Sequence, residues 1–360
     1  MKIKRMAFIG SLIVLFAVCF AIMNEHYDEL ARYPYVTSEN REVILKHLNN
    51  EDINYMIAQQ LKPEQFLPFI ETKGFQIRNT LWYNRAKEMQ DARNEVIVAF
   101  INDYRKKLDY ASLETLLQAY SYDTLRIFFS EDNDYIKNAS IITNPAAALA
   151  LIDENETLFT YQPNDLVAVD KIATVPLHEN KKNTIYLRKE TIQPLHDLCD
   201  AISAVNNKTC GNLILTSGYL SYEDQIPMYE SMMLKYGKDK FQEYWDYPGQ
   251  SEYQLGTMVR FQPAGKEVSH IDEFGLENEK AEQKENDEQE EPKETQEQKL
   301  AKWLSENAYK YGFVVRYPQG KEDVSGKAYQ PFTLRYVGLE HAKALYENHQ
   351  VLEEYTLKTK

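Results

Sequence analysis

The chain has 360 residues and a formal net charge of −14, long enough for two modest domains with cores of their own. That acidic balance excludes nucleic acid as a partner, because phosphate binding needs a basic face. The charge is uneven: Gly275 to Gln298 holds ten acidic and three basic residues, so this run alone carries −7, half of the total.

Taken in order, the chain opens on Met1-Lys-Ile-Lys-Arg5, a basic cluster, and continues into Met6 to Met23, an uncharged and mostly apolar run of 18 residues. At ~1.5 Å per residue such a run just crosses the hydrocarbon core of a bilayer. Cations on its N-terminal side place that end in the cytoplasm and the rest outside. The expectation is a single-pass anchor over residues 1–24, contacting the membrane through residues 6–23. A cleaved signal peptide is the competing reading. Cys199 and Cys210 then fall in the exported part, where an oxidising compartment permits a disulfide; two free, half-buried thiols are the alternative.

Residues 25–143 read as a helical extracytoplasmic region. Apolar residues recur at three- and four-residue spacing over Glu42 to Leu48 and Ile53 to Leu61, and Pro63 starts the next helix. Ala86 to Leu108 and Leu113 to Phe129 complete the set. From about Asn144 the pattern changes to short strands, expected over Leu158 to Tyr161, Leu166 to Val169 and Thr184 to Leu187. A helix follows over Arg188 to Val205, a strand over Leu213 to Ser217 and a helix over Asp224 to Tyr236. Met258 to Phe261 has strand character. The acidic run at 275–298 has no large apolar residue after Leu276 and reads as a disordered or partly helical insertion. Helix resumes from Gln298 to Tyr311 and stops at Gly312. Strands over Phe313 to Tyr317 and Pro331 to Val337 precede a closing helix over Gly338 to Leu352.

Several stretches in the second half belong together. They are Tyr161-Gln-Pro-Asn-Asp-Leu-Val167, Ser217-Gly-Tyr-Leu-Ser-Tyr-Glu-Asp-Gln225, Tyr247-Pro-Gly-Gln-Ser-Glu252 with Gly256, and Trp303 to Phe313. Arg316-Tyr-Pro-Gln-Gly-Lys321, Arg335-Tyr-Val-Gly-Leu-Glu-His-Ala342 and Leu352-Glu-Glu-Tyr355 follow in the same order. In this, residues 144–360 resemble the VanY-like D-alanyl-D-alanine carboxypeptidases, zinc enzymes that trim peptide stems of the bacterial cell wall. The resemblance implies an α+β domain, a small antiparallel sheet with packed helices and a cleft on the sheet face.

The family's chemistry uses an open zinc site. Three ligands leave one position for water, whose pKa falls to about 7, and a carboxylate takes its proton. Carried across residue by residue, the first ligand histidine corresponds to Tyr253 and the aspartate ligand to Arg260. The third ligand, a histidine, corresponds to Thr333, and the tryptophan before it to Phe332. The general-base glutamate corresponds to Gln330, and the substrate arginine to Leu220. The resemblance thus implies a relic cleft without intact catalytic residues or zinc, framed by Ser217, Tyr219, Gln225, Ser251, Arg260, Phe332 and Arg335. Arg260 is expected in the metal's place, bonded to Gln330 and Tyr253. The reading is a membrane-anchored pseudopeptidase, a binding or regulatory module. Its expected partner is a peptidoglycan stem peptide or another cell-envelope protein. The alternative is an active D,D-carboxypeptidase with an atypical site.

Overall fold

The computed structural model describes residues 2–25, 28–130, 139–174, 184–265 and 294–359. His178, His270, Asp272 and residues 275–293 of the acidic run lie outside the described residues. The chain divides into two compact units, Met1–Leu117 and Gln118–Lys360.

In the first unit, α1 spans Lys2–Glu25. Its described side chains include Phe8, Ile9, Leu12, Ile13, Val14, Leu15 and Phe16, all exposed. Among the described residues no helix is long and apolar enough to cross a membrane. Five short helices follow: α2 (Ser38–His47), α3 (Asn50–Ala58), α4 (Pro63–Ile70), α5 (Thr80–Met89) and α6 (Asn94–Tyr104). Their starts are set by local chemistry. Thr37 and Asn40 exchange backbone-to-side-chain hydrogen bonds at 2.8 and 3.2 Å, and Asn49 Oδ1 accepts the Asp52 amide at 2.9 Å. Such caps satisfy amides that a first helical turn leaves without partners. Leu30, Ile44, Ile53, Met56, Phe66 and Ile70 form the buried centre of this unit. The expected continuous helix Ala86 to Leu108 is broken, because the chain leaves helical geometry at Gln90 and re-enters only after an extended Arg93.

Leu113 to Phe129 is likewise two helices, α7 (Leu113–Ala119) and α8 (Tyr122–Ser130). Ser121 starts the second, its Oγ accepting the Thr124 amide at 3.0 Å. Then come two small strand pairs. Strands β1 (Ser140–Ile141) and β2 (Glu156–Thr157) run parallel, and β3 (Leu166–Ala168) and β4 (Tyr186–Arg188) run antiparallel. Leu158 to Tyr161, read from sequence as a strand, is not one. Phe159 sits at φ 47°, and the Leu158 amide donates instead to Gly249 O at 2.7 Å.

The centre of the second unit is a four-stranded antiparallel sheet of β5 (Leu213–Ser217), β6 (Met258–Pro263), β7 (Phe313–Tyr317) and β8 (Gln330–Tyr336), in the order β5-β6-β8-β7. Side chains alternate between the faces of a strand. Leu215, Val259, Phe261, Phe332 and Leu334 point to one face. There they meet Leu195, Leu198 and Ile202 of α9 (Lys189–Asn206) and Leu300 and Leu304 of the helix Gln296–Asn307. Truncating a fully buried leucine such as Leu334 in a core of this kind costs about 2–5 kcal/mol. The other face carries Met258, Arg260, Thr333 and Arg335. A disulfide joins Cys199, in the middle of α9, to Cys210 in the 3₁₀ turn after it, which decides between the two alternatives left open by sequence. Two further helices, α10 (Tyr222–Tyr236) and α11 (Lys238–Tyr244), stand between β5 and β6. The expected closing helix ends early, at Glu347, and a separate helix, Leu352–Thr359, follows a left-handed His349 at φ 52°.

Candidate functional site

Strand register assembles the site. On the sheet face opposite the helical core, Ser217 of β5 pairs with Arg260 of β6, and Arg260 pairs with Thr333 of β8. One row across three strands therefore holds three of the positions singled out from sequence. In the next row Gln330 pairs with Tyr317, and Thr333 Oγ1 donates to Gln330 Oε1 at 3.1 Å. Tyr253, on the 3₁₀ turn Glu252–Leu255 that leads into β6, is close enough to act on Tyr317. Burial raises the Tyr317 hydroxyl well above its ordinary value, with Arg316 opposing and Asp246, Glu252 and Tyr253 adding to the rise.

The floor is dry. Thr333 is 0% exposed, Gln330 3% and Ser251 5%. Arg260 and Tyr253 are half-buried, at its edge. Lys327 Nζ donates to Trp245 O at 2.6 Å and pairs with Asp246 at 2.7 Å, binding the end of α11 to the loop before β8.

Behind the row lies a buried ionic network that sequence reasoning did not assign. The Glu252 carboxylate accepts from Arg316 Nε at 2.9 Å and Nη2 at 2.7 Å, and from Arg335 Nη1 at 2.8 Å. Arg316 also reaches Glu353 at 2.8 and 3.2 Å, and Arg335 Nη2 donates to Ala150 O at 3.2 Å. Burial alone pushes the Glu252 carboxyl up, but Arg316 and Arg335 outweigh it and hold the group below the ordinary carboxylate value. Burial pulls the Arg316 guanidinium down and Glu252 more than restores it. The network fixes the turn that carries Tyr253 against β7 and β8. Its only signal in the sequence was the presence of Glu252, Arg316 and Arg335 inside the kept stretches.

A second network fixes the entrance turn. Gln225 Nε2 donates to Gln254 Oε1 at 2.9 Å and to Leu220 O at 3.1 Å, while Gln225 Oε1 accepts the Gly249 amide at 3.0 Å. Gln254 Nε2 donates to Phe159 O at 2.6 Å and Tyr161 O at 2.9 Å. Both primary amides are saturated, as a buried amide pair requires. Gly249 and Gly256 allow the turn, with φ of 82° and 70°.

Three residues expected at the cleft therefore serve the frame. Phe332 packs in the core on the far side of the sheet, because it alternates with Thr333. Arg335 is 1% exposed and bound to Glu252, and Gln225 is 2% exposed in the amide network. Tyr219 is half-buried, its hydroxyl pushed up to about 12 by burial and by Glu223 and Asp224. Leu220 contributes its carbonyl to Gln225. Among the described residues no group of three or more His, Cys, Asp or Glu is placed to hold a metal ion.

The sequence of this unit is similar to that of carboxypeptidases of the bacterial cell wall. The signature of the VanY D-alanyl-D-alanine carboxypeptidase family matches residues 184–339. The putative carboxypeptidase YodJ of Bacillus subtilis (strain 168) is 32% identical over 233 residues, covering 64% of this chain and 75% of that protein. A D-alanyl-D-alanine carboxypeptidase of Enterococcus faecium is 29% identical over 176 residues, covering 48% of this chain and 45% of that one. Among solved structures, the LdcB LD-carboxypeptidase is 31% identical with a TM-score of 0.48, over 64% of this chain and 94% of that chain. VanYB in complex with D-alanine-D-alanine is 25% identical with a TM-score of 0.40, over 59% and 99%. The chain belongs to the VanY D-alanyl-D-alanine carboxypeptidase family.

Proposed function

We propose that this protein is a non-hydrolysing member of its family, a pseudopeptidase that binds cell-wall stem peptide rather than cutting it. The observation that carries the reading is the row Ser217–Arg260–Thr333 with Gln330 bonded to Thr333. Arg260, Thr333 and Gln330 correspond, in that order, to an aspartate ligand, a histidine ligand and the general base in the family pattern. The residues present do not fit zinc. A buried threonine hydroxyl that already donates to an amide is a poor ligand, and Gln330 takes no proton at useful pH. A guanidinium about 4 Å from a divalent cation is repelled by roughly 8 kcal/mol at an effective dielectric of ~20, and arginine does not deprotonate to escape this.

Anchoring in the membrane is part of the same proposal. It rests on the sequence, in which the uncharged run Met6 to Met23 follows the cations Lys2, Lys4 and Arg5, the charge order of a segment held at a membrane with its N-terminus inside. Full-length protein should sediment with membranes and need detergent for release; release by salt alone would overturn the anchor. Family membership favours a second reading, an active carboxypeptidase with an atypical site. The deciding experiment is zinc content and D-alanine release from a stem pentapeptide, measured on full-length protein in detergent. No zinc and no release support the pseudopeptidase; stoichiometric zinc with turnover refutes it.

A further inference from the structure

Cys199 and Cys210 belong to the buried core of the second unit, yet both also line a cavity of about 150 Å³, none of whose walls belongs to the cleft. Three elements build it. Gln193, His196 and Asp200 recur at three- and four-residue spacing on α9, which makes them neighbours on one helix face. Lys171 and Ile172 come from the segment after β3, and Thr209 precedes Cys210 on the 3₁₀ turn that leads into β5. His196 Nε2 lies 3.0 Å from Asp170 O and 3.1 Å from Asp170 Oδ1, which ties that segment to α9. A disulfide sealed inside a core offers no approach to an incoming sulfur, whereas this one faces a space of amino-acid size. A cation beside a disulfide favours both the attacking and the departing thiolate, and Lys171 brings one to this cavity.

The backbone at Cys210 points the same way. Cys210 and Asn212 are left-handed, at φ 47° and 68°, on either side of Gly211 at 64°. Residues with a side chain hold that conformation only where their surroundings impose it, and the disulfide is one of the restraints that do so. Hydrogen bonds keep the turn beside α9 without it. The Cys210 amide donates to Ser203 Oγ at 2.8 Å, Ser203 Oγ donates to Cys199 O at 2.7 Å, and Asn206 Nδ2 donates to Gly211 O at 2.8 Å. Two thiols formed there stay side by side, ready to close again.

We propose that Cys199–Cys210 is a reversible thiol-exchange site, entered through this cavity by a small amino-acid thiol whose carboxylate meets Lys171 and whose ammonium meets Asp200. The incoming thiolate attacks one cysteine sulfur. The bond between the cysteines breaks as the new sulfur–sulfur bond forms, and the other cysteine leaves as a thiolate that takes a proton from water. The product is a mixed disulfide and one free protein thiol. Attack by that thiol on the mixed disulfide expels the small molecule and restores the starting bond, so no separate oxidant is needed. Opening frees the turn at the start of β5, the edge strand whose far end carries Ser217. This holds whether or not the cleft hydrolyses peptide.

The test uses oxidised full-length protein in detergent micelles at mildly alkaline pH, with L-cysteine and uncharged mercaptoethanol as probes. Acid quenching, alkylation and intact mass follow the mixed disulfide. Each rate is divided by the rate of the same thiol with the protein unfolded in urea, which removes the thiol's own reactivity. L-Cysteine should open the folded protein within a hundredfold of its rate in urea, while circular dichroism keeps the native signal. Mercaptoethanol should be at least threefold slower on the same scale. Lys171→Gln should lose that preference and Lys171→Arg should keep it. In the mixed disulfide, amide exchange at Cys210, Gly211 and Leu213 should rise at least tenfold, with Leu334 unchanged. Protection beyond a hundredfold, opening only with loss of the native signal, equal scaled rates for the two thiols, a preference kept in Lys171→Gln, or unchanged exchange at the turn would each overturn the inference. Should Lys171→Gln fail to fold, the comparison of the two thiols on the wild type decides alone.

Discussion

Replacing Glu252 by glutamine is the sharpest test of how the cleft is held. The Glu252 side chain is 4% exposed and sits between two guanidiniums that are 3% and 1% exposed. Glutamine removes the negative charge and offers one acceptor oxygen where the carboxylate serves Arg316 and Arg335 together. Arg316 keeps Glu353 at 2.8 Å. Among the described residues, Arg335 keeps only the carbonyls of Ala150 and Ala148, at 3.2 and 3.4 Å, and its Nε has no partner there even in the native protein. The cost therefore falls on Arg335. Removing one member of a buried pair costs about 3–5 kcal/mol. For a unit of this size that lowers the melting temperature by about 10 °C, taking 2–4 °C per kcal/mol. The carboxyl is held below its ordinary value in the folded state. Its stabilisation is therefore present above the unfolded carboxylate pKa of about 4.3 and is lost as pH falls through the folded value. Thermal melts followed by circular dichroism at pH 7 and below pH 4 should show a wide gap between wild type and Glu252→Gln that narrows in acid. A gap under ~1 kcal/mol at pH 7, or one that does not narrow, would refute this account of the network.

Three other outcomes are expected. Cys199→Ala/Cys210→Ala should melt lower at pH 7, with a cost of about 3 kcal/mol for a loop of this length on the chain-entropy estimate; a melt matching the wild type would show that the disulfide is dispensable. Gly218→Ala should cost at least about 1–3 kcal/mol in denaturant unfolding, since a Cβ there would lie 2.5 Å from Ile185 Cγ2 and 2.9 Å from Tyr186 O; an unchanged midpoint would contradict the tight approach of β4. The variant Tyr253→His/Arg260→Asp/Thr333→His should gain zinc by mass spectrometry under native conditions, while Tyr253→His/Thr333→His with Arg260 kept should not. Equal zinc in both would show that Arg260 does not exclude the metal.

Much of the second unit was legible because alternation and turn chemistry are local. Met258 to Phe261, Phe313 to Tyr317 and Pro331 to Val337 all lie in or on the sheet strands, and Gly312 ends its helix at φ 79°. Helix lengths were overestimated wherever apolar spacing ran on through a break, as at Gln90 to Arg93 and Ser121, because periodicity registers the buried face and not the backbone turn between two helices. Leu158 to Tyr161 failed for a different reason: its backbone partners are Gly249 and Gln254, some ninety residues away, which no window of local sequence contains. The site row depended on register. Sequence named Arg260 and Thr333 but did not distinguish Thr333, on the site face, from Phe332 beside it in the core. Nor did it separate Arg335 and Gln225, which hold the frame, from residues lining the cleft, since a kept charged or amide residue looks alike in either role until its partners are seen.

The proposed function turns on a cleft that carries no metal chemistry. Its most direct test is a single preparation of the full-length protein, loaded with excess zinc, desalted, and assayed for bound zinc and for D-alanine released from a stem pentapeptide. The account predicts zinc far below one per chain and no release above a heat-treated control. One zinc per chain, lost together with D-alanine release on chelation, would contradict it.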